Sequence, residues 1–363
     1  MEIAPLNEKT GYARWIKSQG LPIHTGHGIP DLRALEVAPY SRTGGKAAFI
    51  QLHGMQGITA GMIGEIPPGD ALKPERHLYE EVICILNGQG ATEVWDDHGD
   101  KKLFEWGQWS LFAPPMNASH RLVNGSREPV KFFAVTNAPL AFDMYRDEKF
   151  IFNCPYSFTD RFYGEEDYFT VGKKRYVRGL INIWETNFIP DVSNAFLENL
   201  EVKGAGLRLS QFEMSGNALV GHLGEWPVGK YHKAHYHGPG AIIVGLRSVG
   251  YVLLWHKQWG TQPYREGHED KVIEIKWGEG SIYCPPGDWF HQHFNAGKEP
   301  ARHLAVRYGS RLYPLGFKVS QQRTDDDVFR GVKEGGWMIP YEDEDPEIAR
   351  RYKAALTANG VAV

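Results

Sequence analysis

From residue 46 onward the chain is written in short apolar runs broken by glycine, proline and asparagine. KAAFIQLHG, GMIGEIPPG, EVICILNGQGATEVW, WSLFAPP and VKFFAVTN fill the stretch to residue 137. β-Branched and aromatic residues dominate these runs, and the breakers fall where turns are needed. Long helical periodicity is absent. The same texture returns between 206 and 309 in LRLSQFEM, ALVGHLGEW, AIIVGLRSVGYVLLWHK, VIEIKWG, GSIYCPP and RHLAVRY. Two helices are predicted outside these blocks. YARWIKSQGLP reads as a short helix stopped by Gly20 and Pro22. In the acidic tail Asp345 offers an N-cap, Pro346 a first helical residue and Gly360 a stop.

The pattern divides the chain into an N-terminal arm (1–45), a β domain (46–145), a linker (146–205), a second β domain (206–312) and a tail with a helix (313–363). The linker is too aromatic for a free tether, which predicts packing across both domains. His24 and His27 fall in the arm and read as loop-packing residues. Composition narrows the function classes. A formal charge of −4 without a Lys/Arg cluster argues against a nucleic-acid partner. The three cysteines, Cys84, Cys154 and Cys284, lie far apart and form no CxxC, so neither a zinc ribbon nor a disulfide framework is indicated. No apolar run resembles a signal peptide or a membrane span. A soluble, cytoplasmic, reducing setting, in which Fe(II) persists, is the expectation.

The two β-rich halves are copies. GEIPPGDALKPERH at 64–77 matches GEWPVGKYHKAHYH at 224–237 without gaps, an offset of 224 − 64 = 160. Residues 106–137 match 277–308 at an offset of 277 − 106 = 171, again without gaps. The difference, 171 − 160 = 11, places an insertion of that size in the second copy, and HKQWGTQPYREGHED (256–270) is its natural seat.

The duplication organises the candidate ligands. His77 corresponds to His237 and His120 to His291, so each half keeps one histidine early and one late. The second half adds His235, two residues before His237 and on the same face of an extended strand. His232, three residues before His235, alternates to the other face in a regular strand. Where the second half has His235, the first has Glu75; where the first has Glu81, the second has Ala241.

These blocks resemble the two cupin motifs. Gly229, His235 and His237 fit the opening of the first, and Gly280, Pro285, Gly287, His291 and Asn295 fit the second. In the first half, Glu81 through Gly88 fits the glutamate part, and Pro115, His120 and Asn124 fit the second motif. The resemblance implies an all-β bicupin: two tandem cupin (jelly-roll β-barrel) domains with short flanking helices. It also implies a metal site in the C-terminal barrel made by His235, His237 and His291. The carboxylate ligand of the motif is missing there, which is similar to the three-histidine Fe(II) cupin dioxygenases of the gentisate and salicylate type.

Three neutral imidazoles leave a divalent ion with its full charge and up to three open positions, suited to a bidentate anionic ligand and O2. The expected function is therefore a dioxygenase, with Fe(II), acting on a small aromatic or enolisable acid. Mn, Ni, Zn or Cu would also suit imidazole ligands. A non-redox lyase, decarboxylase or isomerase using the ion as a Lewis acid is the alternative. His293, two beyond His291, is the candidate acid/base. Arg247 and Arg307 are candidates for binding a substrate carboxylate, with Tyr283 and Trp289 as pocket walls. His77, Glu81 and His120, with Glu75, form a candidate second metal site in a barrel expected to be degenerate. A small-molecule substrate and a homodimer are the expected partners.

Overall fold

A computed structural model describes residues 8–97, 101–171, 174–178, 181–238, 240–310, 312–313 and 330–362. The tail expected at 313–363 thus falls partly outside the described residues. Two β-barrels of the same topology stand side by side, so the all-β expectation of two tandem barrels holds. In the N-terminal barrel one sheet runs, in spatial order, through Ile23–Gly26, Lys46–Leu52, Ala60–Ile66, Val130–Thr136, Glu81–Ile85 and Leu111–Phe112. A smaller sheet, Ser119–Asn124, Gly90–Trp95 and Lys101–Trp106, closes its other side. The C-terminal barrel repeats this with Ile181–Glu185, Arg208–Glu213, Leu219–Trp226, Ala301–Tyr308, Ile242–Arg247 and Ile282–Tyr283, closed by Ile273–Trp277, Gly250–His256 and Trp289–Asn295.

Both faces of the large sheets are buried, which is why their strands read as continuous apolar runs rather than alternations. In Glu81–Ile85, Ile83 and Ile85 point into the N-terminal barrel, while Val82 and Cys84 join a core shared by both barrels. That shared core takes Ile50, Ile63 and Phe133 from one barrel and Phe212, Leu223, Ile242 and Leu304 from the other. The backbones approach so closely that a Cβ on Gly54 would sit 1.9 Å from the Cys284 carbonyl.

Each barrel also borrows an edge strand. Gly28–Ile29, from the N-terminal arm, pairs with Ile282–Tyr283 of the C-terminal barrel. Phe188–Ile189, from the linker, pairs with Leu111–Phe112 of the N-terminal barrel. A further stretch of the repeat accounts for the symmetry: Ile29-Pro30-Asp31 recurs as Ile189-Pro190-Asp191, an offset of 189 − 29 = 160. In each copy the aspartate accepts from the backbone N–H two residues on, Arg33 (2.9 Å) or Ser193 (2.8 Å). The next N–H after the aspartate then donates into the opposite barrel, Leu32 to Gly280 and Val192 to Trp109.

The flanking helices follow their sequence signals. Thr10 caps Gly11–Ser18, and Asp345 caps Pro346–Ala358. Two further helices, Ala138–Tyr145 at the end of the first β domain and Glu148–Asn153 in the linker, had no periodic signature because they are short and packed in an aromatic cluster around Trp15 and Phe142. The insertion at 256–270 packs Trp259 and Tyr264 against the C-terminal barrel.

Candidate metal centre

The segment Tyr231–His237 is not a continuous strand. Tyr231 bridges to Phe294 and His235 to His291, with irregular backbone between. His235 N–H donates to the His291 carbonyl at 3.2 Å, and His291 N–H returns the bond at 2.9 Å. This pairing sets the two imidazoles beside each other, their rings 4.4 Å apart, with His237 4.6 Å from His291. The three offer ligand nitrogens that all lie within 4.8 Å of one another.

The tautomers follow from the backbone. Nδ1 of His235 bonds the Lys233 carbonyl (2.9 Å), that of His237 the Gly238 carbonyl (2.9 Å) and that of His291 the Trp289 carbonyl (3.2 Å). A carbonyl only accepts, so each Nδ1 carries the proton and each Nε2 keeps its lone pair. Burial, then Lys203 and the neighbouring imidazoles, holds His235 well below the usual histidine range. Burial, then His291 and Arg307, does the same for His237, and burial pushes His291 down to about 3. The set is neutral at pH 7 and fits a divalent cation.

The N-terminal barrel brings His77, Glu81 and His120 together with the same precision. Glu81 Oε2 lies 3.4 Å from His77 Nε2 and 3.6 Å from His120 Nε2. These three atoms are buried without a hydrogen-bond partner, while the Nδ1 atoms bond the Tyr79 and Ala118 carbonyls. Burial favours the protonated acid, but the two imidazoles overcome it and hold the Glu81 carboxyl below its ordinary range. This donor set also fits a divalent ion. Glu75 stands apart, its carboxylate 3.6 Å from Arg42.

The surroundings of the two sets differ completely. The C-terminal candidate ligands open on a pocket lined also by Lys203, Gln211, His222, His232, His293, His303, Arg307 and Trp337, with no carboxylate among the described residues of its lining. Through the repeat offsets, His222, His232, His293 and His303 correspond to Met62, Leu72, Leu122 and Phe132, which fill the N-terminal barrel with apolar packing.

Of the sequence candidates, Arg307 lines the pocket. His293 does too, its ring 5.5 Å from that of His291, and Tyr283 reaches the site through a 2.8 Å hydrogen bond to His293 Nδ1. Arg247 does not line it: past a bulge in its strand, it bonds the Ser193 carbonyl at 2.6 Å and Glu225 at 3.3 Å, clamping the linker. Trp289 belongs to the neighbouring core and meets His256 edge to face. His232, expected on the far face, enters the pocket because the irregular backbone breaks strand alternation. His303 was legible: it precedes Arg307 by four residues on one strand, hence on one face. Lys203, His222 and Trp337 carry no local signal and arrive by tertiary packing.

Two β-barrels in tandem, each bringing together a candidate ligand set from the same region of the repeat, make this a bicupin fold. No family model matches the sequence, and no curated protein matches it. Among solved structures the chain is similar to the oxalate decarboxylase of Lactobacillus farciminis in its formate complex: TM-score 0.50, 12% identity, over 78% of this chain and 87% of that one. A variant of the Bacillus subtilis oxalate decarboxylase gives a TM-score of 0.48 at 12% identity, over 78% and 77% of the two chains.

Proposed function

We propose that the chain is a metal-dependent enzyme whose C-terminal barrel takes a small, metal-chelating carboxylic acid and cleaves it without net oxidation, as a decarboxylase or lyase. The observation that carries this reading is the pairing of a neutral three-imidazole donor set with a pocket that holds Lys203 and Arg307 and, among the described residues, no carboxylate. A bound divalent ion would supply Lewis-acid polarisation of the acid's oxygens. Arg307 and Lys203 would attract and orient the carboxylate. His293, tied to Tyr283, is the group placed to hold and return a proton. Burial keeps Tyr283 protonated and His293 neutral, so the resting pair carries no net charge. The likeness in fold to oxalate decarboxylases agrees with this chemistry.

The Fe(II) dioxygenase remains the second reading, favoured by the absence of a carboxylate among the three ligands. Purified protein reconstituted with Mn(II) or Fe(II) and offered 2-oxo, 3-oxo and 2-hydroxybenzoic acids separates the two. CO2 release without O2 uptake is expected; stoichiometric O2 uptake overturns it in favour of the dioxygenase. His291→Ala is expected to lose the C-terminal metal and at least about 100-fold in activity. Unchanged metal content in that variant would exclude the site itself.

A further inference from the structure

We propose that the wall facing the metal ligands is a distinct anion-binding subsite, built by Lys203, His303 and Arg307, so that the substrate carries a carboxylate beyond its chelating group. The proposal rests on the function above and specifies what the wall opposite the metal ligands, rather than the ligands themselves, would hold.

The wall is assembled by strand register. His303, Ala305 and Arg307 alternate onto the inner face of Ala301–Tyr308 and line the pocket. His222 stands beside Ala305 on one neighbouring strand, and Ile243 on the other. His303 has room for its ring because residue 224 is glycine: a Cβ there would lie 2.9 Å from His303 Nε2. Lys203 enters from the turn Glu201–Lys203, whose Lys203 carbonyl accepts from Lys233 N–H at 2.8 Å, two residues before His235. The turn and the metal-binding segment are thereby held together.

Two imidazoles at this wall have ring nitrogens without partners among the described residues. His303 is 4% exposed, and neither of its ring nitrogens has a hydrogen-bond partner among the described residues; His232 Nε2 is in the same position. A neutral imidazole always carries one N–H, and a buried donor left unpaired is costly. Lys203 forms no ion pair with a described carboxylate, and none lines the pocket. Burial, then the nearby Arg307, pushes the Lys203 ammonium down to about 8. Cations brought together beside unpaired imidazole donors, with no carboxylate among the described residues of the lining, are complementary to an anion.

The fold does not require this polarity. The offset of 171 carries His303 to Phe132 and Arg307 to Thr136, and Phe132 packs in the apolar interior of the N-terminal barrel. The same architecture is thus satisfied by hydrocarbon in one copy and furnished with donors in the other. The chelating group of a substrate belongs to the metal. A two-carbon diacid would spend both its carboxylates there, so the wall points to a longer acid with an anionic end of its own.

Calorimetric titration of the metal-loaded full chain with succinate and acetate tests the subsite. Succinate is expected to bind at least about tenfold more tightly than acetate. Lys203→Met should abolish that preference by weakening succinate far more than acetate, and Lys203→Arg should keep most of it. Equal binding of the two acids by the wild type, or an undiminished preference in Lys203→Met, overturns the proposal. A measurement on unmutated protein guards against a folding defect. Succinate, and not acetate, should protect Lys203 from reductive methylation read by mass spectrometry; absence of protection also overturns it. Metal analysis of His291→Ala reports separately on the metal site. Protection of Lys203 in that variant sustains the subsite even where the metal reading fails.

Discussion

Each ligand imidazole is fixed by the nitrogen it does not offer to a metal. The carbonyls of Lys233, Gly238 and Trp289 take the Nδ1 protons and aim three Nε2 lone pairs at one point. Because burial depresses these histidines and their pocket neighbours, the pocket also shapes the response to acid. An unfolded histidine protonates near pH 6.5. His303 in the fold resists protonation until about 3, with burial the leading cause, and His222 and His232 are likewise well below their ordinary value. Between those limits the unfolded chain binds more protons than the folded one, so stability falls as pH falls. Each such group contributes a slope of about 1.4 kcal/mol per pH unit. The metal-free protein should therefore melt at progressively lower temperature from pH 6.5 to 4. A flat melting temperature across that range would contradict the burial of these rings. Gly224→Ala tests the same wall by shape: displacing His303 should weaken succinate binding several-fold while metal content stays unchanged.

At the scale of elements, the tail finishes the C-terminal site. Met338 bridges His235 on the side away from His291, Ile339 N–H donates to Ala234 (2.8 Å), and Tyr236 N–H donates to Trp337 (3.1 Å). Trp337 stacks on Tyr236 and lines the pocket. The helix Pro346–Ala358 anchors this strand by burying Ile348, Tyr352 and Leu356 against the barrel's outer aromatic layer. Asp345, 1% exposed, caps the helix through Glu347 N–H and holds the insertion through Arg265 N–H at 2.8 Å. Asp345→Ala should cost about 1–3 kcal/mol, measured by urea denaturation. Loosening of the tail should also weaken metal retention in that variant. Metal affinity unchanged despite the lost stability would show that the tail only covers the barrel.

At the scale of the molecule the barrels are one folding unit. Their large sheets share a core, and each completes the other's edge. Glu80 is the polar rivet between them. Its carboxylate is buried and accepts from Ala218 N–H (2.8 Å), Leu219 N–H (3.0 Å) and Asn137 Nδ2 (3.0 Å). Glu80→Ala strands those donors and should cost about 2–5 kcal/mol. The wild type should unfold in a single calorimetric transition, and the variant in two. Two transitions already in the wild type would refute the shared core as the source of cooperativity.

The sequence by itself determined the two-barrel fold, the helix caps and which histidines are candidate ligands. Those properties are written in local pattern: short apolar runs with breakers, Asp345 before Pro346, and, because the barrels are copies, gapless blocks that align His77 with His237 and His120 with His291. Tertiary structure decided what surrounds the ligands. Irregular backbone, not strand alternation, turned His232 inward; a bulge and the linker drew Arg247 outward. Lys203 and Trp337 reached the pocket from segments before and after the C-terminal barrel's strands. Nor does local pattern distinguish a barrel interior packed with Leu72 and Phe132 from one holding His232 and His303, since both sets occupy equivalent positions of the repeat. A ligand's own residue type and spacing travel in the sequence. The chemistry of the cavity around it depends on which distant side chains the fold brings to the opposite wall.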